Sequence, residues 1–567
     1  FLFHTDLKGN YSDALHLTSG ISSGYTSGLN VQAPLHYPPP VYLVYLYHYQ
    51  LNHILFSDYF PTWLQDGSAT HTISHPAIFR DLLAMKLPSL LAEIILVISL
   101  IQLTRPPKKF TIAWIWLLNP LVIYTIYGIG NFDIFPALFL ALGLWSWKKY
   151  PWLTYITLGI AISFKLFPIL LIPTIFLLDS RSIFKRIRDL PLTILPLIIS
   201  FIPLYSNLPA IKTIFFSNMV NSTFATTLDL GKSSIPIFGI FLLGIFIYIW
   251  TYKHQLSLAT IQSITFLSLF ALSHFHPQWI IWVMPALTIE FINQKINPRL
   301  FITFILSYFS FVFLFNDKFT TLGMLKGINN MFDINTIPLF QILDRFNLGT
   351  LTQGLAHAAF SATVFFIIKD FFYPSPAKQL NISFKKILLL WLIVPIATFF
   401  FSHFLIAQTG YSFDTIQDSQ QSQLVLHAND TITQTITPQY NNLAKIELQL
   451  KNINLRFQQS LHFQIIDSSH KTLYQTNIPG NQIGDDFNLN LEFPPIPNSA
   501  NQTYQIILSA PQTISNQELI IPYDIHTPGM QLNSKEFQGK LSYILYQRES
   551  NPISLFSQSL RILTSKW

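Results

Sequence analysis

Long apolar runs with at most one charged residue each restrict this chain to folds that bury most of its length away from water. Asp133 is the only charged residue in 110–147, and Lys165 is the only one in 150–178. A lone charge in hydrocarbon costs at least about 2.5 kcal/mol, so such residues usually line a pathway, a wet cavity or a site. We therefore predict that Asp133 and Lys165 belong to a functional region.

Composition supports a polytopic membrane protein. The chain is 50% hydrophobic and 11% charged, whereas ordinary soluble domains are about 25% charged. The net charge of +7 comes from short basic clusters between apolar runs, which is typical of cytoplasmic loops, and we predict no nucleic-acid partner. The chain has no cysteine, so disulfides, thiolate metal ligands and thiol nucleophiles are excluded.

The apolar runs are long enough to cross a bilayer if some helices tilt. They occupy about residues 82–104, 111–128, 133–147, 190–206, 235–252, 256–273, 278–292, 300–316, 351–368 and 387–406. The chain opens at Phe1 rather than at a methionine, and we expect a first membrane helix to be missing from it. The predicted fold is an α-helical polytopic membrane protein of about 12 to 13 spans, counting that helix.

The segment 151–178 is too short for two full crossings, yet basic loops flank it on both sides. We predict a re-entrant hairpin that turns at 163–168, because Pro168 disfavours a continuous helix and Lys165 needs water or an anion. The alternative is one long tilted helix whose lysine extends to the membrane surface. The hairpin keeps the basic loops alternating, and it places 1–80 and everything after Ala407 outside the cytoplasm.

The last part of the chain is polar and alternates with a period of two residues. Ile446, Leu448 and Leu450 alternate with polar residues, and 461–465, 487–491 and 504–508 repeat the pattern. This predicts a β-sandwich of the jelly-roll type. The predicted domains are an outer loop with interfacial helices (1–80), a membrane domain (81–407) and an exported β-sandwich (408–567).

Several short motifs follow one another in a fixed order. After Asp6 come Tyr37–Pro40, Lys86–Pro88, Asn119–Pro120, Gly130–Asp133, Ser163–Lys165 and His274–Trp279. In this order the chain resembles the polytopic membrane glycosyltransferases of the GT-C superfamily over about residues 1–300. It is most similar to the glucosyltransferases that extend lipid-linked oligosaccharides and to the related mannosyltransferases. His276 is followed by Pro277 and Gln278 rather than Glu and Lys, and the β-sandwich suggests a prokaryotic enzyme with a different acceptor.

The resemblance implies an inverting hexosyltransferase of the prokaryotic plasma membrane, active on its outer face. It would move mannose or glucose from a polyprenyl-phosphate donor to a hydroxyl of a glycan, glycolipid or protein. Asp6 would be the catalytic base, and Lys165 and His276 would bind the donor phosphate. The predicted site-lining residues are Asp13, Tyr37, Asn131, Asp133, His274 and Gln278. A phosphodiester leaving group carries about one charge, which Lys or His can offset, so no metal ion or other cofactor is expected.

Purely structural roles stay open for several of these residues. Asp6 could be a solvated helix end, Asp133 a helix N-cap and His276 an interfacial hydrogen-bonding residue. His71 and His75 have the spacing of a metal pair, but no third ligand is evident. For the whole chain the alternatives are a transporter or flippase for lipid-linked or free solutes, and a non-catalytic scaffold. No inverted repeat is evident, and the exported β-sandwich suits the handling of an acceptor.

Overall fold

The structure is a computed structural model that divides the chain into two compact units. It describes residues 2–30, 35–65, 75–106, 108–216, 226–231, 233–252, 256–328, 332, 338–373, 400–404, 407, 410–417, 422–452, 457, 459–480, 483, 487–511, 519–524 and 529–565. The first unit comprises Phe1–Ile328, Thr336–Val394 and Leu563–Trp567, and the second comprises Asn329–Asn335 and Pro395–Ile562. The predicted outer region, 1–80, lies within the first unit.

The first unit is helical. In its N-terminal part lie α1 (Thr5–Leu15), α2 (Ile21–Asn30), α3 (Pro39–Leu51), α4 (Phe60–Gln65), α5 (Ile78–Leu103), α6 (Lys109–Leu117), α7 (Pro120–Ile123), α8 (Ile134–Ser146), α9 (Pro151–Phe164) and α10 (Leu171–Leu178). They are followed by α11 (Ile183–Asp189), α12 (Leu195–Phe201), α13 (Leu208–Phe215), a small hairpin of β1 (Thr227–Asp229) and β2 (Ser234–Pro236), α14 (Ile237–Tyr252), α15 (Leu258–Leu272), α16 (Met284–Ile292), α17 (Pro298–Phe313), α18 (Leu339–Asp344) and α19 (Gly349–Phe372). Proline begins α3, α7, α9 and α17, where its missing amide hydrogen and fixed φ cost least.

Length and composition make three described segments candidates to cross a membrane. They are Ile78–Leu103, Ile183–Leu204 and Gly349–Phe372, and Lys109–Leu117 with Pro120–Ile129 would add a fourth if this pair, bent by 51°, is one span. The other apolar helices, such as α8, α9, α14, α15 and α17, have 10–17 residues. The predicted span 387–406 lies mostly outside the described residues. The candidate spans agree with the predicted class, and the full number of crossings stays a prediction.

Two helix breaks position the candidate site. The first follows α7, where a π-helical turn (Tyr124–Ile129) ends at Gly130, whose φ is +70°. A side chain is strained at this φ, and a Cβ there would also contact the Leu7 side chain at 3.5 Å. The second break follows α9, because Lys165 has an extended backbone and a 3₁₀ turn (Phe167–Leu170) precedes α10. The predicted turn at 163–168 is therefore present, and its re-entrant course stays a prediction.

Helices α8 and α9 form a hairpin joined by residues 147–150. Small and hydroxylated residues allow the two helices to approach closely. The Thr154 hydroxyl lies 2.8 Å from the Ser146 hydroxyl and donates to the Gly143 carbonyl at 3.1 Å. A Cβ on Gly143 would lie only 3.1 Å from Thr157 Oγ1. The hairpin brings Asp133, before α8, to the same end as Lys165, after α9.

The second unit contains two antiparallel sheets. Its strands are β3 (Tyr411–Gln417), β4 (Ser422–Leu426), β5 (Thr431–Ile436), β6 (Leu443–Asn452), β7 (Ser460–Asp467), β8 (Thr472–Pro479), β9 (Phe487–Ile496), β10 (Tyr504–Ser509), β11 (Leu519–Asp524), β12 (Met530–Leu532), β13 (Lys535–Phe537), β14 (Lys540–Leu541) and β15 (Tyr543–Arg548), followed by helix α20 (Pro552–Ser565). One sheet has the order β13-β12-β5-β10-β7-β8; in the other, β14-β11-β6-β15-β3, strand β4 also pairs with β11 and β9 with β6.

One buried apolar cluster joins the two sheets. Ile432, Phe463 and Ile506 contribute to it from one sheet, and Ile446 and Leu545 contribute from the other. Residues at every second position of a strand point to the same face. The predicted alternation in 446–450, 461–465 and 504–508 therefore corresponds to real strands with a shared core, and the C-terminal β region is confirmed. The jelly-roll connectivity stays a prediction.

Candidate functional site

The predicted base lies in the first turn of α1. His4 occupies the N-cap position, and its Nδ1 lies 3.1 Å from the Asp6 amide nitrogen, whose hydrogen it can accept when the imidazole is neutral. The Asp6 side chain is 38% exposed, so a ligand can contact its carboxylate. The Phe3 amide donates to the Met324 carbonyl at 2.9 Å and holds the segment that precedes the helix. An acidic residue at a helix N-terminus is also favoured by the helix dipole.

His4 lies between two carboxylates, that of Asp6 in its own segment and that of Asp317 in a distant part of the chain. His4 Nδ1 lies 3.4 Å from Asp6 Oδ1, and His4 Nε2 lies 3.8 Å from Asp317 Oδ2. Burial alone would lower the pKa of His4, but Asp6 and Asp317 outweigh it and raise this pKa to about 9. Burial alone would raise the pKa of Asp6, but His4, His276 and Lys165 lower it below its usual value. Asp6 is therefore ionised at neutral pH.

Asn131 connects the turn before α8 to α1. Its Nδ2 donates to Asp6 Oδ2 at 3.2 Å, while its Oδ1 accepts from Asn10 Nδ2 at 2.9 Å and from the Phe132 amide at 2.8 Å. Asn131 and Asn10 are buried. Asp6 and Asn10 are four residues apart and lie on one helix face. One buried amide thus contacts both residues of that face.

Asp133 and Lys165, the two lone charges, pair with each other. Lys165 Nζ donates to Asp133 Oδ1 at 2.9 Å, and Trp282 Nε1 donates to the same oxygen at 3.0 Å. The ammonium also lies 4.8–5.4 Å from the ring centres of four aromatic residues, namely Tyr37, Phe132, Trp279 and Trp282. Cation–π attraction in such a desolvated place adds to the ion pair.

This geometry corrects two expectations. The Lys165 side chain is only 4% exposed, so it neither extends to the membrane surface nor presents its ammonium to a donor phosphate in this arrangement. Asp133 occupies the N-cap position of α8 but makes no side-chain capping bond there. Its φ of −59° and ψ of −16° are helical, whereas a capping side chain needs an extended backbone. The alternative interpretation of Asp133 as a helix N-cap is therefore wrong.

His276 and His274 precede a buried 3₁₀ turn (Pro277–Trp282). The His276 ring is partly exposed and lies 5.4 Å from the Trp279 ring, and His274 is exposed and stacks on Phe315 at 6.1 Å. Burial, with the charge of Lys165 and His274, lowers the pKa of His276 to about 4. At neutral pH His276 is therefore uncharged, which corrects the expectation that it offsets the leaving-group charge, and it can donate one hydrogen bond.

The other predicted site-lining residues lie around this centre. Tyr37 contacts Phe132 with ring centres 4.5 Å apart, and its carbonyl accepts from the Tyr25 hydroxyl at 2.5 Å. Asp13 lies two turns after Asp6 on α1, and burial raises its pKa to about 7. Gln278 is buried within the 3₁₀ turn. The structure thus places Asp6, Tyr37, Asn131, Asp133, Lys165 and His276 in one connected set of contacts.

Sequence reasoning missed His4, Asn10 and Asp317. The first two flank Asp6 at spacings that share a helix turn or face, so the local pattern contained a signal for them. Asp317 comes from a distant segment that ends in a 3₁₀ turn (Lys318–Thr320), and no local pattern linked it to His4. Of the predicted histidine pair, His71 lies outside the described residues, and His75 Nε2 contacts Asp81 Oδ2 at 2.9 Å. In the described part of the chain no group of three His, Asp or Glu side chains could hold a metal ion.

The two carboxylates around His4 make a pH-dependent contribution to stability. Because the folded pKa of about 9 exceeds the ordinary value of about 6.5, this contribution is complete below pH 6.5 and is lost as the pH rises through 9. At about 1.4 kcal/mol per pKa unit, it is on the order of 3 kcal/mol. We expect His4→Asn, which can still cap α1, to remove this dependence from the thermal unfolding temperature of the purified protein. An unchanged pH profile would contradict the pairing, and His16→Asn, at an exposed position, is the control.

Comparisons with known proteins add no assignment. No protein-family model matches the sequence, and no curated protein matches it significantly.

Proposed function

We propose that this chain is an integral membrane glycosyltransferase of the GT-C type. It transfers a hexose, glucose or mannose, from a polyprenyl-phosphate carrier to an acceptor hydroxyl with inversion at the anomeric carbon. One observation carries the proposal. Asp6 is an accessible, ionised carboxylate in contact with Asn131. Contacts through Phe132 and Trp279 link Tyr37, Lys165 and His276 to it, although these residues are far apart in the sequence.

Asp6 would act as the base of the transfer. A positioned carboxylate can accept the proton of the acceptor hydroxyl. The hydroxyl oxygen then attacks the anomeric carbon from the face opposite the phosphate, and the polyprenyl phosphate leaves. The lowered pKa of Asp6 keeps it ionised over a wide pH range. His4 and Asn131 fix the two carboxylate oxygens from different sides, which favours one orientation of the base.

Of the two residues expected to bind the donor phosphate, His276 is better suited. Its ring is partly exposed and neutral, so it can donate a hydrogen bond to a phosphate oxygen. Lys165 acts on the site from a distance, because its charge lowers the pKa of Asp6 while its ammonium stays on Asp133. We propose no obligatory metal ion or other cofactor.

The remaining parts of the proposal concern location and acceptor. The catalytic face and the C-terminal β region would lie outside the cytoplasm of a prokaryotic plasma membrane. The β region would help to handle a glycan, glycolipid or protein acceptor. The predicted alternation of basic loops supports the proposed location, and the separate β unit supports the proposed role in handling the acceptor.

The test is a transfer assay in proteoliposomes. The full chain is reconstituted with labelled polyprenyl-phosphate-glucose or polyprenyl-phosphate-mannose and an extract of host envelope glycolipids. We expect label to leave the polyprenyl carrier for a larger product with one of the two donors. Movement of intact labelled donor across the bilayer without transfer would instead support the transporter or flippase alternative.

A further inference from the structure

The turn before α8 contains three consecutive residues, of which one contacts α1 and two contact the Lys165 ammonium. Asn131 bonds to α1, the Phe132 ring lies 4.8 Å from the Lys165 ammonium, and Asp133 pairs with that ammonium. Resting on the proposed function, we infer that Asn131 is a positioning residue, which orients Asp6 for proton transfer and is itself held in place by the buried Asp133–Lys165 pair.

The hydrogen bonds of Asn131 have two roles: those of its oxygen stabilise the turn, and that of its nitrogen orients Asp6. Its Oδ1 accepts from the Phe132 amide and from Asn10, which is enough to stabilise the turn. Its Nδ2 donates to a carboxylate that is 38% exposed. Because a ligand can reach this carboxylate, the donor also limits the orientations that Asp6 can present to an acceptor. Hydrogen bonds to the charged form also favour ionisation.

The other side of the turn is fixed independently of α1. Asp133 Oδ1 receives hydrogen bonds from Lys165 and from Trp282, so the carboxylate cannot rotate without losing both. Asn131 is therefore held between a rigid ion pair on one side and the base on the other.

Two substitutions separate the roles. Asn131→Ala removes every side-chain bond of the residue. Asn131→Asp keeps an oxygen for the Phe132 amide and Asn10 but replaces the donor to Asp6 with a second carboxylate. Both variants should lower kcat by about 10- to 100-fold with little change in KM. In a plot of rate against pH, the fall in rate on the acidic side (the acid limb) should move to higher pH in both variants, because the ionised form of Asp6 loses a hydrogen bond. The shift should be larger for Asn131→Asp, because a second negative charge raises the pKa of Asp6 further.

Asn119→Ala is the matched control. Asn119 is also buried, and its Oδ1 caps α7 by accepting from the Leu121 amide at 3.0 Å, but it has no bond to Asp6 among the described residues. Its loss should lower the unfolding temperature and leave the acid limb unchanged. An unmoved acid limb in both Asn131 variants would overturn the inference.

A second measurement does not depend on activity. In a double-mutant cycle, Asp6→Ala and Asn131→Ala should change the thermal unfolding temperature non-additively, whereas Asp6→Ala and Asn119→Ala should be additive. Additivity of the first pair would overturn the contact itself. If the wild type transfers no sugar while the first pair is coupled, the proposed function and the positioning role both fail and only a structural contact remains.

Discussion

Replacing Asp6 with asparagine should lower the rate of sugar transfer by about 10²- to 10⁴-fold, which is the usual contribution of a general base. The amide has nearly the shape of the carboxylate and can still accept from Asn131 Nδ2, so the fold should survive. What is lost is the group that accepts the acceptor's proton. The measurement is transfer of label from the preferred polyprenyl-phosphate sugar, compared at equal amounts of folded protein.

The control for this variant is Asp58→Asn. Asp58 is exposed, and we expect the activity and unfolding temperature of this variant to match those of the wild type within error. Asp6→Glu keeps the charge but displaces it by about one carbon–carbon bond, and we expect partial activity. Full activity of Asp6→Asn would exclude the proposed mechanism.

Replacing Lys165 with methionine should destabilise the protein by about 3–5 kcal/mol, because removing one partner of a buried ion pair leaves an uncompensated charge. Asp133 would keep only the Trp282 hydrogen bond, and its other oxygen has no hydrogen-bond partner in the described part of the chain. The measurement is the midpoint of thermal unfolding in detergent, followed by size-exclusion chromatography. The matched control is Arg188→Met, which breaks a pair whose arginine is 68% exposed and should change the unfolding midpoint little, because solvent screens such a pair.

A double variant distinguishes the pair from a donor site. Lys165→Met with Asp133→Leu removes both charges and should recover most of the lost stability, since apolar replacements of buried pairs are often neutral. If Lys165 contacted the donor phosphate directly, the double variant would be stable but would show a much higher KM for the donor. We expect its kcat to fall more than its donor KM changes, because the turn that holds Asn131 loses one anchor. A stability no better than that of Lys165→Met alone would contradict the pairing.

Much of the architecture could be predicted because it depends on local patterns. The break at Lys165 follows from a charge and Pro168 within an apolar run, and the C-terminal strands follow from a period of two residues. The class of the first unit follows from composition. Each of these features is fixed by neighbouring residues, so a single sequence is enough to find it.

The site was predictable only in part because its key contacts join distant segments. Asp133 and Lys165 are each isolated in the sequence, and each was interpreted separately as a marker of a site. Each is the counter-charge of the other, because the α8–α9 hairpin brings Lys165 Nζ to 2.9 Å from Asp133 Oδ1 although the two residues are 32 positions apart. No periodicity specifies that closure. The capping interpretation failed because a helical φ and ψ at Asp133 cannot be distinguished from an extended one in the sequence.

The closed α8–α9 hairpin has a consequence for how the chain enters a bilayer. During synthesis Asp133 emerges before α8, and its counter-charge emerges only after α9 is complete. Each charge alone opposes partition into lipid by roughly 2.5–3.5 kcal/mol on insertion scales. Once joined, they give a helical pair with no net charge at its open end and hydroxyl contacts near its loop. The two helices should therefore be released from the insertion machinery together, as one element whose open end carries no net charge.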